Sequence, residues 1–375
     1  MSNKPHMKVP KKSFSDIKVF KKIIHVIGLS RYIAKTENIS VVRQYIEIMT
    51  LFITRQLGPV LYYEAQLWKK KFSMKQKMRF LNSAQYKKRI NELNMPAYRK
   101  FTNDKLAEKA ILSLLGVPTA KFIGFFHCNN GSDSKNNALT TSEQLKSLLS
   151  KHIGKRLCFK LTEGWGGDGF IAVYISEFKG EILVSLLPSK DNPISIDVFC
   201  QQHLYKNYHN GIVIEEYIEQ HQVLANFNTT SVNTVRMWLI QQDDKVKFIG
   251  AVLRVGRKNQ IVDNSMQGGI ICLIDPETGK ILYGRNTNTI PEVFDTNPDS
   301  GAQLTDIQLP FWSECVEMAK SCLRTFPHTN FVGLDIAFST TGPMIIELNQ
   351  EPDKISARLF NKPLLDLLTY TDYID

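Results

Sequence analysis

The sequence lacks the features that mark several large classes of protein. Its six cysteines form no C-x-x-C pair, and no histidines stand at zinc-ligand spacing, so reduced thiols are predicted rather than a zinc site or a disulfide framework. No stretch reaches the roughly 18 apolar residues of a membrane-spanning helix, and no apolar segment follows the first lysines as in a signal peptide. Internal repeats and low-complexity tracts are also missing. We therefore expect a globular, cytoplasmic protein.

Composition and charge leave several partner classes open. The 375 residues suffice for two or three domains, and contents of 43% hydrophobic and 22% charged residues are ordinary for globular proteins. The net charge is +11, and the excess is concentrated toward the N-terminus, in 11–22 and 68–80. Such a charge favours polyanions, although a solvated basic surface explains it equally well. Nucleic acid is disfavoured, because no basic platform with interleaved aromatic residues is present.

Secondary-structure signals divide the chain into a helical first part and a strand-rich second part. Residues 1–100 are predicted to be helical and basic, and residues 101–156 give a capped helix, a Gly-Val-Pro stop and a short strand. Eight strand-like segments follow, then one helix and a final pair of strands. The predicted class is α+β with mostly antiparallel sheet. Four apolar residues keep helical spacing before a Gly-Pro stop at 58–59: Ile46, Met49, Ile53 and Leu57.

A hairpin near the C-terminus is predicted to bring two acidic side chains together. Its first strand, FVGLDIAF, alternates apolar residues onto one face and leaves Asp335 on the other. With residues 339–343 as the loop, the register pairs Phe338 with Met344 and therefore Asp335 with Glu347. Directly opposed carboxylates destabilise a hairpin unless one is protonated or a cation lies between them.

A third oxygen donor is predicted on the same face of the second strand. Asn349 follows Glu347 by two residues, whereas Met344, Ile346 and Leu348 are predicted on the opposite, buried face. Two carboxylates and an amide oxygen form the all-oxygen set that suits Mg²⁺, which shares its other positions with phosphates and water. A paired-acid surface on an exposed sheet face is the alternative without a metal.

A glycine-rich hairpin is the second candidate site. Glycine lets backbone N–H groups approach phosphate oxygens closely, and Lys160 on the preceding strand could neutralise phosphate charge. The hairpin lacks the GK[ST] ending of a Walker A loop. Taken by itself, the glycine-rich hairpin is explained equally well as a flexible turn. A strand ending in acids follows at 212–220, where backbone groups could contact adenine; an ordinary edge strand is the alternative. The four glycines of the loop are Gly164, Gly166, Gly167 and Gly169.

In this order, these segments resemble the ATP-grasp superfamily, and more closely its sugar-transfer-associated branch, found with cell-surface polysaccharide biosynthesis. The branch is suggested by GPVLYYEAQLW, SVNTVRMWL, VDNSMQGGI and GLDIAF…IIELNQEP, and the match runs from about residue 45 to the C-terminus. The resemblance implies an ATP-grasp fold, in which two α+β subdomains grip ATP, behind a helical basic N-terminal region. The implied domains are 1–100 (helical, basic), 101–156 (small α/β segment), 157–220 (lid) and 221–375 (C-terminal subdomain with the metal site).

The resemblance also implies roles for individual residues. Arg236, Arg254 and Lys160 would act on the transferred phosphoryl group or the acyl-phosphate, and a structural ion pair is the alternative for either arginine. In the D-alanine–D-alanine ligase relatives an arginine stands two residues before the metal aspartate, where this chain has Gly333. An acceptor-side loop is expected at Asp263, Asn264, Gly268 and Gly269, with a simple Asp-Asn turn and a Gly-Gly strand start as the alternative. Phosphate contacts are expected from Lys105 and Lys160, adenine contacts from Glu215, Glu216, Tyr217 and Ile218, ribose contacts from Glu219 or Gln222, and binding of two Mg²⁺ ions from Asp335, Glu347 and Asn349.

The implied activity is that of an ATP-dependent carboxylate–amine ligase acting through an acyl-phosphate. The expected reaction attaches an amino acid to a sugar, through a uronic acid carboxylate, during synthesis of a surface polysaccharide such as capsule or O-antigen. The acceptor would be a nucleotide-sugar or a lipid-linked glycan, met at the inner membrane face by a peripheral contact with anionic lipid. A sugar or small-molecule kinase using the same ATP and Mg²⁺ is the first alternative. A catalytically silent nucleotide-binding module of an assembly complex is the second.

Overall fold

The computed structural model describes residues 19–164, 166–263 and 268–370, with only the backbone described at 19–22. Its residues divide into two units, one of 19–92, 285–293 and 353–370 and one of the described residues within 93–284 and 294–352. The α-helices are α1 (Val19–Thr36), α2 (Val41–Arg55), α3 (Pro59–Glu64), α4 (Met74–Lys77), α5 (Ser83–Leu93), α6 (Lys100–Asn103), α7 (Lys105–Leu114), α8 (Ser142–Leu149), α9 (Ile196–Phe199), α10 (Gln222–Ala225), α11 (Trp312–Arg324), α12 (Lys354–Ala357) and α13 (Leu364–Leu367). The strands are β1 (Phe122–Phe126), β2 (Ser132–Asp133), β3 (Arg156–Leu161), β4 (Ile171–Phe178), β5 (Glu181–Leu186), β6 (Ile194–Ser195), β7 (Ile212–Glu216), β8 (Thr234–Gln242), β9 (Lys245–Val255), β10 (Ile270–Ile274), β11 (Ile281–Arg285), β12 (Val293–Phe294), β13 (Phe331–Ser339) and β14 (Gly342–Asn349).

The first unit is helical and encloses polar groups within its core. Helices α1 and α2 pack together where the buried Gln44 donates to the Ser30 carbonyl at 3.1 Å. Glu47 accepts hydrogen bonds from Tyr62 at 2.8 Å and Lys77 at 2.7 Å, so its charge is compensated. The apolar core around them contains Leu29, Ile33, Leu51, Tyr62, Tyr63 and Trp68.

The apolar series predicted on α2 has the expected helical spacing but mostly faces solvent. Leu57 is buried, whereas Ile46, Met49 and Ile53 are exposed. The buried face of α2 instead carries Gln44, Glu47 and Leu51. No helix in the described part of the chain is long and apolar enough to cross a membrane.

The second unit contains two seven-stranded antiparallel sheets, which confirms the α+β class and the predicted antiparallel pairing. The first sheet has the order β2-β1-β7-β3-β4-β5-β6 and is covered on one face by α8 and α9. The second has the order β12-β11-β10-β9-β8-β13-β14, and α7 and α11 pack on one of its faces. Helix α8 begins with a capping box formed by Thr141 and Gln144. Helix α9 and the short helical turns at 200–207, which no sequence signal predicted, complete the first layer.

Alternation along the strands of the second sheet separates its core from its polar face. On β13, Val332, Leu334, Ile336 and Phe338 enter the core, and Asp335 therefore lies on the opposite face, as predicted. The neighbouring β8 buries Val235, Met237 and Leu239 in the same core. Arg236 consequently projects from the same face of the sheet as Asp335.

The β13–β14 hairpin pairs Asp335 with Glu347, as predicted, although its loop is different. The predicted pair of Phe338 with Met344 is wrong, because Met344 pairs with Ala337 and the turn has only two residues. A β-bulge after Asp335 restores the register. The bulge also moves Met344 and Ile346 away from the core face that Leu348 shares with Ile345, which corrects the predicted alternation on β14.

The four-part domain division remains a prediction. In the structure, β1 from 101–156 pairs with β7 from 157–220 in the same sheet. Residues 285–293 and 353–370 belong with the helical first unit by their contacts. All six cysteines lie among the described residues and are unpaired, and five of them are buried.

Candidate active site

Two arginines converge on Asp335 at the polar face of the second sheet. Arg236 is its cross-strand neighbour on β8 and binds both carboxylate oxygens, with Nη2 at 2.9 Å from Oδ2. Arg254 on β9 reaches the same Oδ2 with its Nη2, also at 2.9 Å. Burial by itself would raise the pKa of Asp335, but the two guanidinium groups outweigh it and lower the pKa to about 2. Asp335 is therefore ionised at neutral pH.

The arginine that is missing at position 333 has a structural counterpart. A Cβ on Gly333 would lie 2.6 Å from the Cβ of Pro352 and 3.1 Å from the Cδ of Arg236. A side chain at this position would therefore collide with its neighbours. The guanidinium beside Asp335 comes instead from the adjacent strand.

Glu347 and Asn349 on β14 lie beside Asp335 on the polar face of the second sheet. The Nδ2 of Asn349 donates to Glu347 Oε1 at 3.2 Å and to Asp335 Oδ2 at 3.4 Å. Among the described residues no three His, Cys, Asp or Glu side chains form a metal cluster, so a cation here would need the amide as its third donor. The donor set fits Mg²⁺ in chemistry, provided that the amide turns its oxygen toward the carboxylates. Glu347 fits best, because Asp335 shares its oxygens with two arginines.

A buried carboxylate lies between two lysines on the other side of the site. Glu215 on β7 is 2.6 Å from the Nζ of Lys160 on β3 and 2.9 Å from the Nζ of Lys109 on α7. Burial opposes ionisation of Glu215, but Lys160 and then Lys109 outweigh it, and its pKa lies below the ordinary value. In the opposite sense, Glu215 keeps the pKa of Lys160 above its usual range despite burial. Glu215, predicted as an adenine contact, thus has a side chain engaged with the lysines.

The other predicted lysine holds the glycine-rich loop. The Nζ of Lys105 donates to the carbonyl of Gly164 at 3.2 Å, and its backbone N–H donates to Thr162 at 2.9 Å. Gly166, Gly167 and Gly169 of the loop have positive φ angles, and Trp165 lies outside the described residues. A Cβ on Gly167 would lie 3.1 Å from the Cγ1 of Val262, which brings the loop against the segment that follows β9.

The predicted adenine segment contributes one side chain to a small apolar cluster. Ile218 packs with Ala120 and Ala337, and Val232, Met344 and Ile346 lie against them. The cluster thus joins the segment that follows β7 to the face of β13 and β14 that lies opposite the core. Sequence reasoning missed Ala120 and Met344, because the bulge that turns Met344 to this face leaves no local signal.

The remaining predicted nucleotide contacts point elsewhere in this structure. Glu216 pairs with Lys121 at 3.5 Å, and Glu219 pairs with Arg156 at 2.9 Å. The guanidinium of Arg156 also lies over the Tyr217 ring. Gln222 is exposed at the start of α10 and donates to Asn226 at 2.7 Å. Their roles toward adenine and ribose remain predictions.

Asp263 extends the arginine network. It accepts hydrogen bonds from the Thr234 backbone N–H at 2.9 Å and from the Thr234 hydroxyl, and lies 3.5 Å from the Nε of Arg254. Thr234 in turn accepts from the Nη2 of Arg254 at 2.7 Å. Asp263 therefore holds Arg254 in the direction of Asp335. Asn264 lies outside the described residues, and Gly268 and Gly269 precede β10 without a side chain to contribute.

Glu108 and Lys109 on α7 were missed by sequence reasoning. Glu108 accepts a hydrogen bond from the Leu348 N–H at 3.0 Å, and its buried Oε2 has no hydrogen-bond partner among the described residues. Burial raises the pKa of Glu108 well above its usual range, and Glu347 acts in the same direction. One pattern in the sequence could have revealed them. Lys105, Glu108 and Lys109 stand at i, i+3 and i+4 with an apolar residue at i+7, which predicts that these charged groups lie on the face of α7 that packs against the sheet.

Comparison with known proteins identifies the family. The model of the family described as sugar-transfer associated ATP-grasp matches residues 81–369, more than half of the chain. The chain belongs to this family. The match confirms the resemblance found in the sequence. The two antiparallel sheets with their packed helices agree with the ATP-grasp fold. A search of curated proteins gave no match.

Solved structures similar to this ATP-grasp protein are distant from it. An ADP complex of N5-carboxyaminoimidazole ribonucleotide synthetase is 13% identical, covers 68% of this chain and 46% of its own, and has a TM-score of 0.37. D-alanine–D-alanine ligase from Bacillus anthracis is 15% identical, with coverages of 72% and 65% and a TM-score of 0.36. Biotin carboxylase from Campylobacter jejuni, complexed with β,γ-ATP, is 12% identical, with coverages of 68% and 42% and a TM-score of 0.36. The chain spans less than two thirds of the length of each.

Proposed function

We propose that this protein is an ATP-dependent ligase that joins a carboxylate to an amine through an acyl-phosphate. Two buried charged clusters carry the proposal: Lys160 and Lys109 around Glu215, and Arg236 and Arg254 around Asp335. Glu347 links them, because it pairs with Asp335 across the hairpin and acts electrostatically on Lys160. Phosphoryl transfer needs positioning and charge neutralisation rather than a nucleophilic side chain, and this arrangement supplies both. Membership of the family supports the use of ATP.

The nucleotide would lie between the two sheets. In the apolar cluster around Ile218, the half-buried Met344 and Ile346 would offer apolar contact to the flat face of a purine. Lys160 and Lys105 would contact the phosphates, and the backbone N–H groups of the glycine-rich loop would cover them. Asp335, Glu347 and Asn349 would hold Mg²⁺, as two ions in our proposal, which when bound would neutralise phosphate charge as a Lewis acid.

The acceptor carboxylate would react beside the arginines. Its oxygen attacks the γ-phosphorus, the bond to the β-phosphate oxygen breaks, and ADP leaves. The amine then attacks the acyl carbon, its N–H proton is lost, and phosphate leaves with the carboxylate oxygen. Arg254, which contacts Asp335 and is held by Thr234 and Asp263, would stabilise the negative charge that develops on the transferred group.

The substrates that we propose are an amino acid and a uronic acid carried on a nucleotide or a lipid. The family description supports a role next to sugar transfer, and we assign the protein to synthesis of a surface polysaccharide at the inner face of the membrane. A C–N bond is the proposed product, since an amine is the natural acceptor of an acyl-phosphate. A kinase would instead leave the phosphoryl group on a sugar hydroxyl.

Oxygen tracing separates these reactions. The full chain is incubated with Mg-ATP, a panel of amino acids and nucleotide-linked uronic acids labelled with ¹⁸O in the carboxylate, and followed by ³¹P NMR. A ligase gives ADP and inorganic phosphate that carries one ¹⁸O, only when both substrates are present. A new phosphate ester would make the protein a kinase, and unlabelled phosphate would exclude the acyl-phosphate.

The metal assignment has its own variant. Glu347→Gln should abolish Mg²⁺-dependent ATP turnover while circular dichroism shows an unchanged fold, because the carboxylate charge that the cation needs is lost. Glu277→Gln, at an exposed turn between β10 and β11, is the matched control and should keep the wild-type rate. Normal turnover in Glu347→Gln would refute the assignment.

A further inference from the structure

Helices α1 and α2 carry large apolar side chains that are mostly exposed to solvent. Val42, Ile46 and Ile53 of α2 are 68%, 62% and 73% exposed, and Ile23 and Ile24 of α1 are exposed to a similar degree. Large apolar side chains grouped on one surface mark an interaction site more often than scattered ones do. We call this surface the α1–α2 apolar face; it consists of Ile23, Ile24, Ile27, Val42, Ile46, Met49, Phe52 and Ile53.

The apolar face is directed away from the core of its own unit. On α2 its residues 42, 46, 49 and 53 follow the spacing i, i+4, i+7, i+11, which aligns them in one stripe. The buried positions of α2, Gln44, Glu47 and Leu51, lie on the opposite side of the helix. The helix therefore has its apolar stripe outside and its polar buried residues inside, the reverse of an ordinary surface helix.

The part of the sequence that contains the apolar face is rich in basic residues. Residues 1–55 contain eleven lysines and arginines against three acidic residues, which accounts for +8 of the net +11. Helix α1 contains no acidic residue, and Arg31 and Lys35 on it are exposed. The acid on α2, Glu47, is buried and compensated by Lys77 and Arg43. The helices thus present apolar and cationic groups together.

We propose that the α1–α2 apolar face binds the surface of a bilayer that contains anionic phospholipid. An amphipathic helix pair with an apolar stripe flanked by lysine and arginine lies in the interface plane, where acyl chains receive the stripe and headgroups neutralise the charge. A second copy of this chain fits less well, because a symmetric contact would bring together two surfaces that both carry the cationic Arg31 and Lys35. The inference goes beyond the proposed ligase reaction, and its test does not depend on that reaction.

Vesicle sedimentation of the full chain tests the proposal. The chain should bind vesicles of phosphatidylcholine with phosphatidylglycerol, bind pure phosphatidylcholine much less, and be released as salt is raised. The double variant Ile46→Ser/Ile53→Ser removes apolar groups without changing charge, and we expect it to weaken binding about tenfold or more. Leu114→Ser/Phe178→Ser, which changes two apolar residues of the second unit that are at least as exposed, is the matched control and should bind as the wild type does.

The outcomes separate the partners. Equal vesicle binding by wild type and Ile46→Ser/Ile53→Ser would overturn the proposal. The proposal would also be overturned if the wild type did not bind vesicles but formed a concentration-dependent dimer that Ile46→Ser/Ile53→Ser abolishes. That result would assign the apolar face to a contact with a second copy of the chain. Circular dichroism of each variant checks that the helices remain folded, since the substituted side chains are exposed.

Discussion

Replacing Glu215 with glutamine should destabilise the protein strongly, because the carboxylate is the shared counter-charge of two buried lysines. Only 3% of the Glu215 side chain is exposed, against 8% for Lys109 and 12% for Lys160. Glutamine keeps the shape and the hydrogen-bonding capacity but removes the charge. Lys109 would retain its hydrogen bonds to Thr119 and Ala120, whereas both ammonium groups would lose their ion pair.

The expected loss follows from the burial of the pair. Removing one partner of a buried ion pair costs about 3–5 kcal/mol, since the other charge stays desolvated without compensation. The two lysines share one carboxylate, so their losses do not add. We therefore expect the free energy of unfolding of Glu215→Gln to fall by about 3–5 kcal/mol, measured at pH 7 by urea denaturation with circular dichroism.

A neighbouring residue supplies the control. Glu219 makes an ion pair of similar length with Arg156, at 2.9 Å, but 73% of its side chain is exposed. Glu219→Gln should cost only about 0.2–1 kcal/mol. A cost for Glu215→Gln within that same range would refute the argument from burial. In a double-mutant cycle, Lys109→Met should cost less in Glu215→Gln than in the wild type.

The pH dependence gives the sign of the effect independently. The pKa of Glu215 is lowered in the folded protein, so its stabilisation is present above the ordinary value of 4.5 and disappears as the pH falls through the lowered pKa. The pKa of Lys160 is raised, so its contribution is present below its ordinary value of 10.5 and disappears at more alkaline pH. The difference in the free energy of unfolding between wild type and Glu215→Gln should therefore be constant between pH 4.5 and pH 10.5 and become smaller below pH 4.5.

Two further variants test the loop and the arginine network. Gly169→Ala should lower the melting temperature more than Gly180→Ala does, and it should also weaken ADP binding more, as measured by calorimetry. Both glycines have positive φ, so the backbone strain is similar. Only at Gly169 would the new Cβ meet a side chain, since it would lie 2.4 Å from Leu161 Cγ. Equal effects would contradict the close packing of the loop. Asp263→Asn should lower kcat about tenfold or more with little change in the KM for ATP, because Asp263 positions Arg254 rather than the nucleotide; a change confined to KM would contradict that role.

The sequence predicted the parts of the site that depend on local periodicity. Strict alternation along β13 left Asp335 opposite the core residues whichever strands pair with it. A short hairpin then brought Glu347 across from it, and the shorter turn and the bulge cancel each other in the register. The family assignment followed from the same local motifs, because phosphate and metal contacts are concentrated in short segments of the chain.

Other parts depend on contacts between distant segments. The pairing of β8 with β13 brings Arg236 to Asp335, and no local pattern specifies which strands become neighbours. Docking of α7 selects Lys109 as a partner of Glu215, where sequence reasoning had chosen only Lys105. Such non-local pairings are decided by how whole surfaces pack together.

The sequence by itself determined the α+β class, the succession of strand segments along the chain and the face on which Asp335 and Glu347 lie, because the backbone repeats of strand and helix fix where successive side chains point. Only the tertiary structure decided which charges meet and which helix faces stay exposed. The sequence periodicity places an apolar stripe on α2, but a side chain is buried only where another surface packs against it. In this fold Gln44 and Glu47 are buried in that way, whereas Ile46 and Ile53 are exposed.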